Sequence, residues 1–335
     1  MNNKVQRYFW IVASSFLLIS LNPTLFYSFF ASAIFIDASY PDLYEASINE
    51  LQSGLEQKHF SSVDLVKAYL ARIQKINLKG PILRAVLEIN PSALSDAAAL
   101  DHERASKGPR GPLHGIPVLL KDIISVEGSV VNDSTIASKL RRAGAIFLGK
   151  TNLEEFSHFK VEPLPLGWSA LGGQSTNPYY PRGNPSGSSS GSAISAAIGL
   201  ATVTLGAETD SSIIYPAAWN NVVGVKPTVG LVSRKGVIPI SPNLDTLGPI
   251  TRSMTDAAIV LTVIAGQDPL DRYTLKQPFD VPDYTKALKR DSLKIAFNKY
   301  LAELKDLPSG VRTLAVRVAV ISGSNLPLDI EIWRK

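Results

Sequence analysis

Residues 183–219, GNPSGSSSGSAISAAIGLATVTLGAETDSSIIYPAAW, hold eleven serines and threonines among glycines and alanines, with no histidine or cysteine between them. A serine hydroxyl is a weak nucleophile until a base removes its proton, and the usual base is an imidazole. The chain has four histidines, His59, His102, His114 and His158, none of them in this segment, and only a fold that brings His114 or His158 close could supply one. Lysine can do the same work. Its amine is a strong base once burial or cationic neighbours keep it neutral near pH 7. Lys121 closes IPVLLK, which reads as the most apolar short strand in the chain, where a partly desolvated amine is expected. The residues alone leave a second reading open, in which Lys121 simply pairs with a carboxylate at the end of a strand.

The bulk properties narrow the alternatives. There is no cysteine, which excludes disulfides, thiol chemistry and Cys-ligated zinc, and the four histidines fall in no HExxH-like spacing. No metal and no cofactor is expected. A net charge of +5 spread over 335 residues, without a basic block interleaved with aromatics, gives no footprint for nucleic acid. With 45% hydrophobic and 19% charged residues the chain can bury a sizeable core. Nothing in it fixes an oligomeric state.

The elements that must position the serines and the lysine follow from periodicity. Residues 42–77 carry apolar residues at helical spacing with a break at residues 58–62, which predicts two helices, the second capped by Ser61 or Ser62. ALSDAAALDHERASKG predicts a third helix stopped by Gly108, with Pro112 beyond it. GIPVLLKD reads as a short buried strand, and IASKLRRAGAIFLGKTN as a helix followed by a strand. SAISAAIGLA is a helix of small residues able to pack closely on a sheet, TVTLGAET a strand, and SMTDAAIVLTVIAG an amphipathic helix. Helix and strand alternate, so the fold class is α/β with a largely buried sheet, and chemistry is expected at the strand ends where loops converge. A flexible linker would not be followed by elements this regular.

Three segments read together narrow the chemistry. GPLHGIPVLLKD (111–122), GNPSGSSSGSA (183–193) and GAETDSSIIYPAAWNNVVGVKPTVGLVS (206–233) resemble the amidase signature family, whose members hydrolyse carboxamides with a Ser-cisSer-Lys triad. The resemblance covers about residues 43–266. The ETD before the second serine, VGVKPTVGLVS, IPIS and DTLGPITRS are more similar to the peptide-amidase-like, fungal and plant branch than to the amidotransferase subunits. It implies a mixed β-sheet core covered by α-helices and a small-molecule or peptide-like amide as substrate. By position, Lys121 matches the family's base, Ser188 the relay serine that follows a cis peptide bond, and Ser212 the nucleophile. Thr209, Asp210, Ser211 and Ser212 occupy the places whose backbone N–H groups form the oxyanion hole. Those roles would put the Ser188 hydroxyl within hydrogen-bond reach of both the Lys121 amine and the Ser212 hydroxyl.

There are departures. Ser211 stands where the family favours glycine before the nucleophile, Ser186 and Ser190 replace other glycines, and Ile214 stands where arginine is frequent. A Cβ at Ser211 bears on whether the backbone can adopt a glycine-like conformation. Asp122 is expected to be a structural partner at its strand end, Asp245 and Arg252 to bind backbone or each other, Tyr215 and Trp219 to lie in the core or the pocket wall, and His114 to be a satisfied turn residue.

The two ends of the chain read differently. Residues 1–36 carry Lys4 and Arg7 and then no further charge to Ile36, the layout of a signal peptide or an uncleaved anchor, with Ala31-Ser32-Ala33 as cleavage site and Asn22-Pro23 interrupting the run. A secreted or membrane-anchored chain is therefore expected, with Asn132 as its glycan acceptor. An incomplete amidase signature domain is expected over residues 43–310 and an atypical tail over 311–335. After about residue 266 the family pattern is broken, which predicts an incomplete C-terminal part of the fold. Two functions compete on this reading: an amidase working through an acyl-enzyme, and a truncated, non-catalytic member of the same fold.

Overall fold

A computed structural model describes residues 42–126, 133–158, 165–180, 182–277 and 280–288. Among the described residues the first two helices are α1 (Ile48–Glu56) and α2 (Ser62–Ile76), and each starts at a reciprocal capping box, Ser47 with Glu50 and Ser61 with Asp64. Asp101, on α3 (Ala93–Lys107), accepts the Ser62 and Val63 N–H groups at 2.8 and 3.1 Å, so the start of α2 is also fixed by a neighbouring helix. The predicted break, the Ser61 cap and the stop at Gly108 are all present.

The core is a six-stranded mixed sheet made of β1 (Val86–Ile89), β2 (Pro117–Lys121), β3 (Ile146–Thr151), β6 (Val203–Glu208), β7 (Val223–Gly224) and β8 (Thr246–Thr251), in the order β1-β3-β2-β6-β8-β7. A short ribbon, β4 (Trp168–Ser169) with β5 (Gly173–Gln174), lies outside it. Parallel pairing of β2 with both β3 and β6 explains why β2 reads as a near-continuous apolar run; every residue of β2 and of β6 is buried. The antiparallel partners β1, β8 and β7 complete the sheet on either side.

Helix α4 (Thr135–Arg142) leads into β3, and α5 (Ser190–Ala197) packs on the sheet with all eight residues buried. Its small side chains let it sit close enough for the Ser192 hydroxyl to donate to the Leu205 carbonyl at 2.9 Å. Helix α6 (Ile214–Trp219) is short, and α7 (Met254–Ile264) is buried at seven of its eleven positions, more than the one-sided helix its sequence suggests. The N-terminus of α7 is tied to that of α1 by Asp256, whose carboxylate accepts the Ile48 N–H at 3.0 Å and the Ser253 hydroxyl at 2.8 Å.

One expectation is overturned. Among the described residues no helix is long and apolar enough to cross a membrane; the longest, α2 and α3, have 15 residues and carry charges, where a span needs about 20 apolar ones. The membrane-anchored localisation is withdrawn on that finding. The leader at residues 1–36, the acceptor Asn132 and the tail at 311–335 lie outside the described residues.

Candidate active site

Parallel pairing sets the site. Strands β2 and β6 run side by side in the same direction, with Val118 opposite Val203 and Leu120 opposite Leu205, so Lys121 and the turn after Glu208 emerge at the same end of the sheet. The segment before α5 comes down between them. Its Gly187–Ser188 peptide is cis, as the family pattern implies. Lys121, only 2% exposed, donates from Nζ to Ser188 Oγ at 2.6 Å and to the Ala207 carbonyl at 3.2 Å. The Ser189 N–H donates to the Ser212 carbonyl at 3.1 Å, which stitches the two serine segments together. Lys121, Ser188 and Ser212 line one cavity of about 880 Å³.

Burial pushes the Lys121 ammonium down from 10.5 to about 7, while the carboxylates of Glu154 and Glu208 pull the other way. Near neutrality the amine is therefore a usable base. Ser212 is buried, but its hydroxyl donates to the Asp210 carbonyl at 3.3 Å and not to Ser188, so one of the two expected relay contacts is made and the other is not.

The turn after β6 is held from both sides. Glu208 Oε2 accepts the N–H groups of Ile213 and Ile214 at 2.6 and 2.9 Å. The Thr209 hydroxyl donates to Asp245, which also accepts the Ile240 and Ser241 N–H groups at 2.8 and 2.9 Å. The N–H groups of Thr209, Asp210, Ser211 and Ser212 have no acceptor among the described residues. Donors left open in this way are what an oxyanion site requires. Asp210 and Ser211 themselves do not line the cavity, whereas Thr209 does.

Ser211 takes up the glycine-like conformation despite its side chain, at φ +60°, and Ser186 does the same at φ +61°. A left-handed backbone costs a residue with a Cβ about 1 kcal/mol, partly offset by the greater freedom glycine has when unfolded. Ser211→Gly should therefore stabilise the fold by about 0.5 kcal/mol, read as a rise in the denaturant midpoint. An equal or lower midpoint would show that the serine conformation is unstrained.

The remaining sequence candidates separate clearly. Asp122 faces Lys150 at 3.6 Å, and Asp245 binds backbone. Arg252 pairs with Glu45 and lies over the Tyr44 ring. Tyr215 and Trp219 are 40% and 47% exposed and do not line the cavity, so neither is core or pocket wall. His114 is buried, accepts the Arg110 N–H on Nδ1 at 3.3 Å and donates from Nε2 to the Leu100 carbonyl at 2.9 Å; burial also lowers its pKa. It is a structural residue. His114→Ala should cost about 1–3 kcal/mol of stability through the two lost contacts, yet leave kcat per folded molecule within about tenfold. A folded His114→Ala protein with its rate abolished would mean the imidazole takes part in the chemistry. Two carboxylates were not singled out in the sequence, Glu154 and Glu208; the only signals were the ETD motif and the acidic pair that follows GKTNL.

The family model described as Amidase matches residues 64–318, more than half the chain. This chain belongs to the amidase family. The match continues past residue 266, where the motif-level resemblance is broken. Among solved structures, the native peptide amidase of Stenotrophomonas maltophilia aligns with a TM-score of 0.73 at 48% identity, covering 75% of this chain and 54% of that one. The peptide amidase in complex with the competitive inhibitor chymostatin aligns with a TM-score of 0.73 at 42% identity, over 83% and 62%. A relative from Arabidopsis thaliana is 44% identical over 306 residues, 86% of this chain and 59% of its own. One from Arthroderma benhamiae is 43% identical over 290 residues, 76% and 48%. This amidase chain thus spans about half to three-fifths of the length of the relatives it matches. The peptide-amidase-like, fungal and plant branch inferred from the motifs agrees with them.

Proposed function

We propose that the chain hydrolyses a carboxamide C–N bond, in a small or peptide-like amide, through an acyl-enzyme formed on Ser212. The observation that carries this reading is the 2.6 Å contact between a buried Lys121 amine and the Ser188 hydroxyl, in the same cavity as Ser212. In this reading Lys121 takes a proton from Ser188 while Ser188 takes one from Ser212, and Ser212 Oγ bonds to the carbonyl carbon. The carbonyl oxygen collects negative charge beside the N–H groups of residues 209–212. The C–N bond then breaks and the relay returns the proton to the departing nitrogen. Water attacks the resulting ester by the same route, releasing the acid and restoring the Ser212 hydroxyl. Before the first step, the Ser212 hydroxyl must turn from the Asp210 carbonyl towards Ser188. We assign this chemistry to a domain over residues 43–310.

The test is single-turnover hydrolysis of a peptide amide and of an aryl amide, with amine release and the mass of the intact chain followed together. Amine release with a transient acyl adduct is expected. A second reading is favoured by the Ser212–Asp210 contact: an amide-binding, non-catalytic amidase fold. Under that reading the same amides raise the melting temperature with no amine released.

A further inference from the structure

The charge around Lys121 is divided between two carboxylates with different duties. The other ionisable groups at this end of the sheet are engaged elsewhere. Asp122 faces Lys150, Asp245 binds the 240–241 backbone, Arg234 is clasped by Asp271 at 3.0 Å, Glu155 accepts the Ala170 N–H at 2.6 Å, Lys235 is exposed to solvent, and Asp210 is exposed and accepts the Ser211 hydroxyl. That leaves Glu154 and Glu208 as the charges acting on the amine. Glu208 is committed to the Ile213 and Ile214 N–H groups and so serves the nucleophile turn.

Glu154 lies on the other side, just after β3, 3% exposed and lining the same cavity. Its N–H donates to the Ser188 carbonyl at 3.0 Å. Its carboxylate lies against the Gly187–Ser188 peptide so closely that a Cβ on Gly187 would stand 2.0 Å from Oε2. The same residue therefore holds the relay peptide through its backbone and places a negative charge beside it.

We propose that Glu154 is a positioning residue for the lysine–serine pair: its carboxylate, seated against the relay peptide, sets the pH at which Lys121 becomes a base. The proposal rests on the lysine relay described above. Burial alone would favour the neutral amine over a wide range of pH and leave it a weak base. A fixed carboxylate restores basicity, and the two opposing effects bring the midpoint to where proton transfer is useful.

The test reads Lys121 directly. In the full chain carrying 13Cε-labelled lysine, the Lys121 resonance is the one that disappears in Lys121→Met, and its titration gives a midpoint without any turnover. Glu154→Gln should lower that midpoint by about one pH unit, and the acid limb of kcat/KM should move with it. Glu154→Asp draws the charge back by one methylene and should lower the midpoint by less than Gln does. An unchanged or raised midpoint in either folded variant overturns the proposal, since a purely structural role would cost stability without moving it. A chain that turns over no amide yet shows these shifts speaks against the proposed function while supporting the role of Glu154.

Discussion

Ser212→Ala should remove acyl-enzyme formation outright while leaving the fold intact. The hydroxyl is the only part of the side chain lost, and its one hydrogen bond, 3.3 Å to the Asp210 carbonyl, is long. The fixtures of the turn, Glu208 on the Ile213 and Ile214 N–H groups and the Ser189 N–H on the Ser212 carbonyl, involve backbone and survive the change. We expect a melting temperature within a few degrees of wild type, a drop in single-turnover rate of about 10⁴-fold or more, and no mass adduct with a serine-directed acylating probe. An adduct that persists in the folded variant would transfer the nucleophile role to another residue, and Ser188 would be the first to examine.

Lys121→Met should be nearly as damaging, by about 10³-fold, and wild-type activity should carry the signature of its base. With the amine titrating at about 7, kcat/KM is expected to be highest on the alkaline side and to fall as pH drops through 7, because only the neutral amine accepts the Ser188 proton. A rate independent of pH between 5.5 and 8.5 would remove Lys121 from the mechanism. Histidine would give an acid limb in a similar range. The discriminating result is therefore the variant pair: the limb should survive His114→Ala, and the remaining activity should lose it in Lys121→Met.

Much of this arrangement was legible in the sequence, for physical reasons. IPVLLK could be read as a buried strand because parallel pairing on both sides leaves no solvent face to alternate. The small-residue helix after Ser188 could be read because nothing larger fits between it and the sheet. Strand β8, TLGPIT, was not recognised, since glycine and proline in its middle resemble a loop. The glycine is there because the chain just after its antiparallel neighbour β7 comes close, so that a Cβ on Gly248 would stand 1.8 Å from the Val225 carbonyl; Pro249, which has no N–H to give, still accepts the Val225 N–H at 3.0 Å.

Glu154 escaped notice because an acidic pair after a strand ordinarily faces water. What buries it is the Gly187–Ser188 peptide, 33 residues further on. Tyr215 and Trp219 erred in the other direction. They lie on a helix of six residues whose buried side is taken by Pro216 and Ala217, which leaves the aromatics outside.

The buried amine also makes folding a proton-releasing reaction. In the unfolded chain Lys121 holds its proton up to about 10.5, whereas in the native protein it gives the proton up near 7. Between those values the unfolded state binds more protons than the folded one, so stability rises with pH across the interval, and the destabilisation is complete below 7. In calorimetry near pH 8.5 this would show as an unfolding enthalpy that changes with the ionisation heat of the buffer, a dependence that Lys121→Met removes. That variant should also be the more stable protein at neutral pH. Activity and stability thus climb together above pH 7, but activity levels off once the folded-state amine is neutral, whereas this contribution to stability keeps growing to about 10.5.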